Sequence, residues 1–264
     1  MTRRPWTFFA LFLALSVPVW ILGAVAPTFL PEAIPINLPT AALMTFNPAL
    51  AAAILTVRDD GTRGLRALLA RAVDARRLTR AIWWLPIFGL MPLVMAVNWL
   101  WVVGAGRAPE VVGLPWALVP VLFGMFLIGD LGEELGWQGY AYDSLAGRFG
   151  ALATALGMGA FWALIHVVPL LEAGRAPDWI FWHCLGQVAL RVLTVWIYVN
   201  TGRSVFATTV FHTMTNMSEY LIPNYGSSYD PLISTSVLWL LALGVMSVWR
   251  PSTLAQLRPG RRPV

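Results

Sequence analysis

Eight apolar runs, 6–26, 38–57, 81–103, 113–136, 151–171, 179–199, 204–222 and 232–249, restrict what this chain can fold into. Crossing a bilayer as a helix takes about 20 mostly apolar residues, and a soluble domain would not carry so many such runs. The first, third and last are the cleanest, whereas Pro48 interrupts the second and polar residues dilute the fourth and seventh. With 58% hydrophobic and only 12% charged residues, the chain reads as an all-α integral membrane protein. The expectation is a bundle of eight transmembrane helices around a polar cavity, with residues 1–264 as a single polytopic domain and no soluble domain. The first run has the look of a signal peptide, with Arg3, Arg4 and the small-residue Ala24-Val25-Ala26 sequence. Its apolar stretch is long for a signal, so an uncleaved helix is expected.

Charge gives the orientation. All eighteen basic residues are arginines. With eight spans, fifteen of them fall on one side: Arg3, Arg4, seven within 58–80, Arg148, Arg203, Arg250 and three in the tail. Arg107 and Arg175 fall on the other side, and Arg191 lies inside a span. Cytoplasmic loops carry the basic excess, so both termini are expected in the cytoplasm. Topology accounts for the net charge of +5, and no nucleic-acid partner is implied. Cys184 is the only cysteine, which excludes an intramolecular disulfide and a cysteine metal cage.

Residues 58–80 form the longest polar interruption, with Leu65, Leu68, Leu69, Val73 and Leu78 recurring among arginines. They read as an amphipathic helix on the cytoplasmic membrane surface, or as a solvated linker helix. Residues 27–37, with Pro27, Pro31 and Pro35, read as an external loop. The tail from Arg250 onward reads as poorly ordered.

The fourth run carries Asp130, Glu133 and Glu134. An ionisable side chain at the bilayer centre costs about 2.5–3.5 kcal/mol even on lenient scales, so three acids need a reason. On a helix, Gly129, Gly132, Gly136 and Gly139 fall within an arc of about 80°, a face suited to close helix packing. Asp130, Glu134 and Gln138 share another face, and Glu133 lies between the two. The adjacent acids are therefore expected to differ in role. Glu133 borders the packed face, and Glu134 belongs to a polar line that can fix it by hydrogen bonds. On the seventh run, Ser204, Thr208, His212, Asn216 and Tyr220 recur every four residues as an inward stripe. An imidazole and an amide there supply donors suited to a developing oxyanion. His166 follows Trp162 by one turn on the fifth run. His183, Gln187 and Arg191 make a stripe on the sixth, read as structural, with Arg191 a buried cation in need of a partner.

These residues resemble the CAAX-processing, CPBP-type intramembrane proteases, also called the Abi family. That family is marked by EExxxR, FxxxH and HxxxN/D on separate helices. Here the three stand as Glu133-Glu134 with Gln138, Trp162 with His166, and His212 with Asn216. The match covers roughly 120–220, which would be the CPBP-type core. The resemblance implies a peptidase in which Glu133 activates water with help from His166. His212 and Asn216 would stabilise the oxyanion, and Glu134 would support the site. Asp130, Gln138, Trp162 and Arg191 are the expected supporting residues. If a divalent metal such as zinc takes part, Glu133, His166 and His212 are its expected ligands, although their spacing does not demand one. The implied partners are a peptide or protein substrate and the lipid bilayer. The Ala-, Gly- and Arg-rich composition points to a bacterial source.

Two departures bear on activity. Trp162 replaces the usual Phe, a change expected to affect packing more than chemistry. Gln138 replaces the usual Arg and removes a cation that would balance Glu134, and Arg191 is the expected substitute. Without such compensation the chain would be a catalytically silent relative, acting in bacteriocin immunity or as a membrane partner. A proton-coupled transporter with an acid–histidine relay is the other alternative. Depth is also open: His166 lies about 22 Å along its helix, and Glu133 is expected near the cytoplasmic end of its own. The two meet only if 140–150 dips into the membrane or the helices are offset or tilted.

Overall fold

The computed structural model describes residues 4–26, 39–110, 116–222, 226 and 228–256. The loop expected at 27–37 lies outside the described residues. Nine α-helices occur among them: α1 Pro5–Val25, α2 Asn47–Leu69, α3 Trp84–Gly104, α4 Val119–Gly136, α5 Tyr142–Phe149, α6 Ala151–Glu172, α7 Pro177–Asn200, α8 Val205–Leu221 and α9 Pro231–Val248. A 3-10 segment, Thr40–Phe46, leads into α2, and a π-helical turn, Trp137–Ala141, joins α4 to α5. No strand occurs among the described residues.

Seven helical stretches are long and apolar enough to cross a membrane. The segment expected at 204–222 is α8, a 17-residue helix outside that set, packed against α3, α4 and α7. The chain is an all-α membrane bundle, and its surface is apolar: Ile21, Leu85, Leu100, Ile128, Leu164 and Leu240 are each more than 60% exposed. The buried set contains Ser16, Asn47, Asn98, Gln138, Thr208 and the acids of α4. Apolar residues outside and polar residues inside is the arrangement a hydrocarbon solvent favours.

The glycine face of α4 does what its spacing predicts. A Cβ on Gly136 would lie 2.4–2.5 Å from Pro48, and one on Gly132 would lie 2.9 Å from the Thr45 carbonyl oxygen. These contacts bring α4 against the 3-10 segment and α2. The π turn then interrupts the even helical spacing assumed for Gly139, whose Cβ position meets Leu68 of α2. Two carbonyls of the turn take side-chain donors. Tyr198 Oη donates to the Gln138 oxygen at 3.0 Å, and Arg71 Nη1 donates to the Gly139 oxygen at 2.9 Å.

The 58–80 segment departs from the expected surface helix. Residues 58–69 continue α2 through a break at Gly61, whose φ of 66° and ψ of −165° suit glycine alone. Leu68 is buried, while Leu69 and Val73 are 51% and 75% exposed, so no single apolar stripe forms. Instead the segment is tied to the α7–α8 turn. Asp74 accepts from Ser204 Oγ at 2.7 Å and from the Phe206 amide at 3.1 Å, capping α8. The tail also departs from expectation up to Gln256. Ser252 and Pro251 carbonyls accept from the Ala151 and Leu152 amides at 2.9 Å, and Leu254 is fully buried. These bonds satisfy amides of the first turn of α6, which has no side-chain cap.

The bundle has an arginine-rich end and an arginine-poor end. Arg71 and Arg77 bond the carbonyls of Arg203 and Gly202, and Arg203 lies 3.4 Å from Asp143, which gathers the α2, α5 and α7–α8 ends. At the opposite end Arg107 lies 3.5 Å from Asp230, and Glu172 accepts from the Ala41 amide at 3.2 Å.

Gly136→Val should force α4 away from Pro48 and destabilise the bundle by at least about 1–3 kcal/mol, the usual cost of overpacking. Gly124→Ala, whose Cβ meets nothing within 4 Å, should leave thermal stability in detergent unchanged.

Candidate active site

Glu133 and Glu134 occupy different chemical settings, as their positions on the helix predict. Glu133 Oε2 accepts from the indole N–H of Trp162 at 2.7 Å and of Trp137 at 3.2 Å. Its Oε1 lies 3.3 Å from Thr45 Oγ1, whose hydrogen is shared with the Gly129 carbonyl at 3.0 Å. All of these donors are neutral. Glu134 is fully buried and pairs with cations: Arg191 Nη1 lies 2.9 Å and His212 Nδ1 3.2 Å from its Oε1. The cation missing at position 138 thus stands on α7. Gln138 is fully buried in the π turn, and its side-chain amide has no hydrogen-bond partner among the described residues.

Trp162 connects the parts. Its N–H holds Glu133, the Arg191 guanidinium lies 4.4 Å from its ring centroid, and both His166 and His212 pack edge-on to it at 4.9 and 5.4 Å. The expectation that Trp162 changes packing more than chemistry is therefore corrected, because a phenyl ring cannot donate to Glu133. Trp137 is held in turn by Phe8 and Phe12 of α1, with ring centroids 5.4 and 5.2 Å away.

The hydrogens on the histidine rings follow from their partners. His166 Nδ1 lies 2.7 Å from the Trp162 carbonyl oxygen, which can only accept, so Nδ1 carries a hydrogen and Nε2 is the free nitrogen. His212 has a carboxylate on either side, Glu134 3.2 Å from Nδ1 and Asp130 3.7 Å from Nε2, so both ring nitrogens carry a hydrogen and Nδ1 donates to Glu134. Asn216 Nδ2 donates one hydrogen to Asp130 Oδ1 at 2.8 Å, which leaves its second hydrogen uncommitted. Asp130 thus orients both expected oxyanion donors.

The depth question resolves through helix length. The helical path through Glu133 continues to Phe149, so Glu133 lies mid-path instead of at a helix end. Gly150, at φ 80°, then turns the chain into α6. His166, near the far end of α6, lines the same cavity as Glu133.

That cavity measures about 400 Å³ and is lined by Asp130, Glu133, Trp162, His166, His212 and Asn216. It also takes in residues the sequence did not single out for the site: Thr45, Arg175, Trp179, Glu219 and Tyr229. Glu219 follows His212 by seven residues and so shares its helix face, a signal present in the sequence. Thr45 lay inside a run read only as apolar. His183 and Gln187, expected as structural, line the cavity as well.

The expected metal ligands do not form a ligand set. Among the described residues no three His, Cys, Asp or Glu side chains converge on one point. Glu133 Oε2 is taken up by the two indole N–H groups.

Residues 115–218 match the family model described as "Type II CAAX prenyl endopeptidase Rce1-like". Over that stretch the chain is similar to this family of membrane endopeptidases. A curated relative from Methanococcus maripaludis, CAAX prenyl protease 2, is 30% identical over 137 residues. That match covers 48% of this chain and 49% of the relative, so the chain spans about half the length of the curated relative it matches. The family match contains all three constellations, from Asp130 and Glu133 to Asn216.

Removing Arg191 would leave Glu134 buried without its strongest partner. Arg191→Ala should cost about 3–5 kcal/mol of stability. Adding Gln138→Arg to that variant should restore part of the loss, as read by thermal unfolding in detergent, because position 138 is buried in the turn that follows Glu134.

Proposed function

We propose that this protein is an intramembrane endopeptidase that hydrolyses a peptide bond with carboxylate-activated water. The observation that carries the reading is Glu133, a buried carboxylate held only by neutral donors at the wall of a cavity that is also lined by His166, a histidine with a free ring nitrogen. Similarity to a curated relative named as a CAAX prenyl protease supports the same class.

In this mechanism a water molecule sits between Glu133 and His166 Nε2. Its oxygen attacks the substrate carbonyl carbon while Glu133 takes one of its protons and His166 accepts a hydrogen bond from the other. The negative charge moves to the carbonyl oxygen, where the Nε2–H of the doubly protonated His212 and the uncommitted Asn216 N–H donate to it. Collapse breaks the carbon–nitrogen bond, and the proton held by Glu133 passes to the leaving nitrogen. The products are a new carboxyl terminus and an amine. Glu134 and Asp130 are positioning residues: they aim His212 and Asn216 and do not touch substrate. No step requires a metal ion.

The catalytic core is residues 120–220 of a single polytopic domain spanning 1–264, with both termini in the cytoplasm of a bacterial cell. The basic asymmetry and the Arg-rich composition support this placement.

Cleavage by purified protein in liposomes, against quenched peptides, tests the reading. Glu133→Gln should lower kcat about 100- to 10,000-fold, the usual contribution of general-base catalysis. His212→Ala should lower it about 100- to 1,000-fold through loss of an oxyanion donor. Trp162→Phe keeps the ring but removes the donor to Glu133, and should lower kcat about 10-fold, the lower end for a hydrogen bond to a charged group. A chelator should have no effect. Full activity in Glu133→Gln would overturn the proposal.

A further inference from the structure

The cavity holds a carboxylate that the proposed reaction leaves idle. Of the acids on its wall, Asp130 accepts from Asn216, and Glu133 accepts from two indoles. Glu219 is half-buried on the same wall, and no side chain or backbone amide donates to its carboxylate among the described residues. A carboxylate held away from bulk water is costly unless a donor or a cation meets it. The arginine that shares the cavity does not do so. Arg175 forms no ion pair among the described residues, and its guanidinium lies 4.5 Å from the Trp179 ring centroid.

The wall beyond Glu219 is aromatic. A Cβ on Gly226 would lie 2.9 Å from the Glu219 carbonyl oxygen, and the Gly226 carbonyl accepts from the Tyr229 amide at 3.2 Å, so the chain leading to Tyr229 runs against this end of α8. Tyr229 packs edge-on to Trp179 with centroids 5.5 Å apart, and both line the cavity. Tyr220, also on the lining, packs on Phe126 at 5.0 Å. Aromatic faces attract ammonium and guanidinium groups, and the alkyl stems of lysine and arginine lie well against them. Trp179 already holds one guanidinium of the protein in this way.

Position along α8 relates this carboxylate to the chemistry. Glu219 stands three residues beyond Asn216 and seven beyond His212, about 4.5 and 10.5 Å along the helix axis. An extended peptide advances about 3.3 Å per residue. With its carbonyl at the two donors, such a peptide brings a residue two or three positions from the reacting bond level with Glu219. We infer that Glu219 heads a subsite for a cationic side chain, a lysine or arginine of the substrate two or three residues from the bond that is cleaved. The distance to the cut rests on the peptidase reading; the affinity of the subsite for a cation does not. An apolar side chain at that position would leave Glu219 unpaired.

A single-lysine scan of an apolar, N-acetylated quenched peptide tests the subsite, each lysine peptide being read against its norleucine counterpart. The cut is located by mass spectrometry of the products. With purified protein in liposomes, lysine two or three residues from the cut should raise kcat/KM about 10- to 100-fold over norleucine, chiefly through KM, as expected for a charge-assisted hydrogen bond. Glu219→Gln should abolish that ratio, and Glu219→Arg should turn the preference toward glutamate peptides. Arg175→Gln removes a competing cation and should raise the ratio. Cleavage with no lysine preference at any position, a preference kept in Glu219→Gln, or one that falls in Arg175→Gln would overturn the proposal. A preference seen only when the terminal amine is left free would overturn it in favour of a chain-end amine. Singly labelled versions of the peptides, bound to Glu133→Gln protein and followed by fluorescence anisotropy, read the subsite without cleavage. Lysine should bind about 10-fold more tightly than norleucine there, and adding Glu219→Gln should remove the difference. That result with no peptide cleaved by the unsubstituted protein would leave the subsite standing and count against the peptidase reading. Equal binding of lysine and norleucine peptides would overturn the subsite.

Discussion

Two charges buried in a low-dielectric interior, Arg191 and Glu134, set the terms for the rest of the bundle. Desolvating each ion costs several kcal/mol, and the pair recovers this only when geometry and further hydrogen bonds are favourable. Here the partners stand 2.9 Å apart, His212 gives Glu134 a second donor, and the Trp162 ring faces the guanidinium. These four residues come from α7, α4, α8 and α6. Meeting them all at once fixes the relative height and rotation of four helices, which packing between apolar surfaces in lipid does far less sharply. The small residues on α4 make this approach possible on the opposite side, where Gly132 and Gly136 admit the 3-10 segment and Pro48.

The same arrangement separates structural from chemical charge. Glu134 is held by cations, while Glu133, one residue away, is held by an alcohol and two indoles. A helix turns about 100° per residue, so neighbours in sequence look into different surroundings. One acid can therefore lock the bundle while the next faces the cavity. The aromatic residues of α1 belong to this scheme, because Phe8 and Phe12 hold the Trp137 ring whose N–H reaches Glu133.

Much of this was legible in the sequence because hydrocarbon solvent leaves few choices. Apolar length gave the helices, the spacing of Gly129, Gly132 and Gly136 gave the packed face, and an intramembrane Arg191 demanded a partner. What escaped had weaker local signals. Thr45 sits in an apolar run, and nothing in its neighbourhood marks it as a donor to an acid in another helix. Gly61 breaks α2 where the arginine-rich pattern suggested one continuous amphipathic helix. Arg175 read as a loop charge, although it lines the cavity. Trp162 read as a bulky substitute for Phe, since a sequence shows the ring but not the direction of its N–H.

The sequence by itself determined that the chain is a helical membrane bundle, which face of α4 packs, and which polar residues had to be buried together. Periodicity and hydropathy act locally, and the cost of burying a charge is large enough to force pairing. Only the tertiary structure decided which nitrogen meets which oxygen, that Glu133 lies mid-path and not at a helix end, and that Thr45 and Arg175 line the cavity. Those facts depend on the offset and tilt of helices distant in sequence, and on one π turn whose extra residue no periodic pattern reveals.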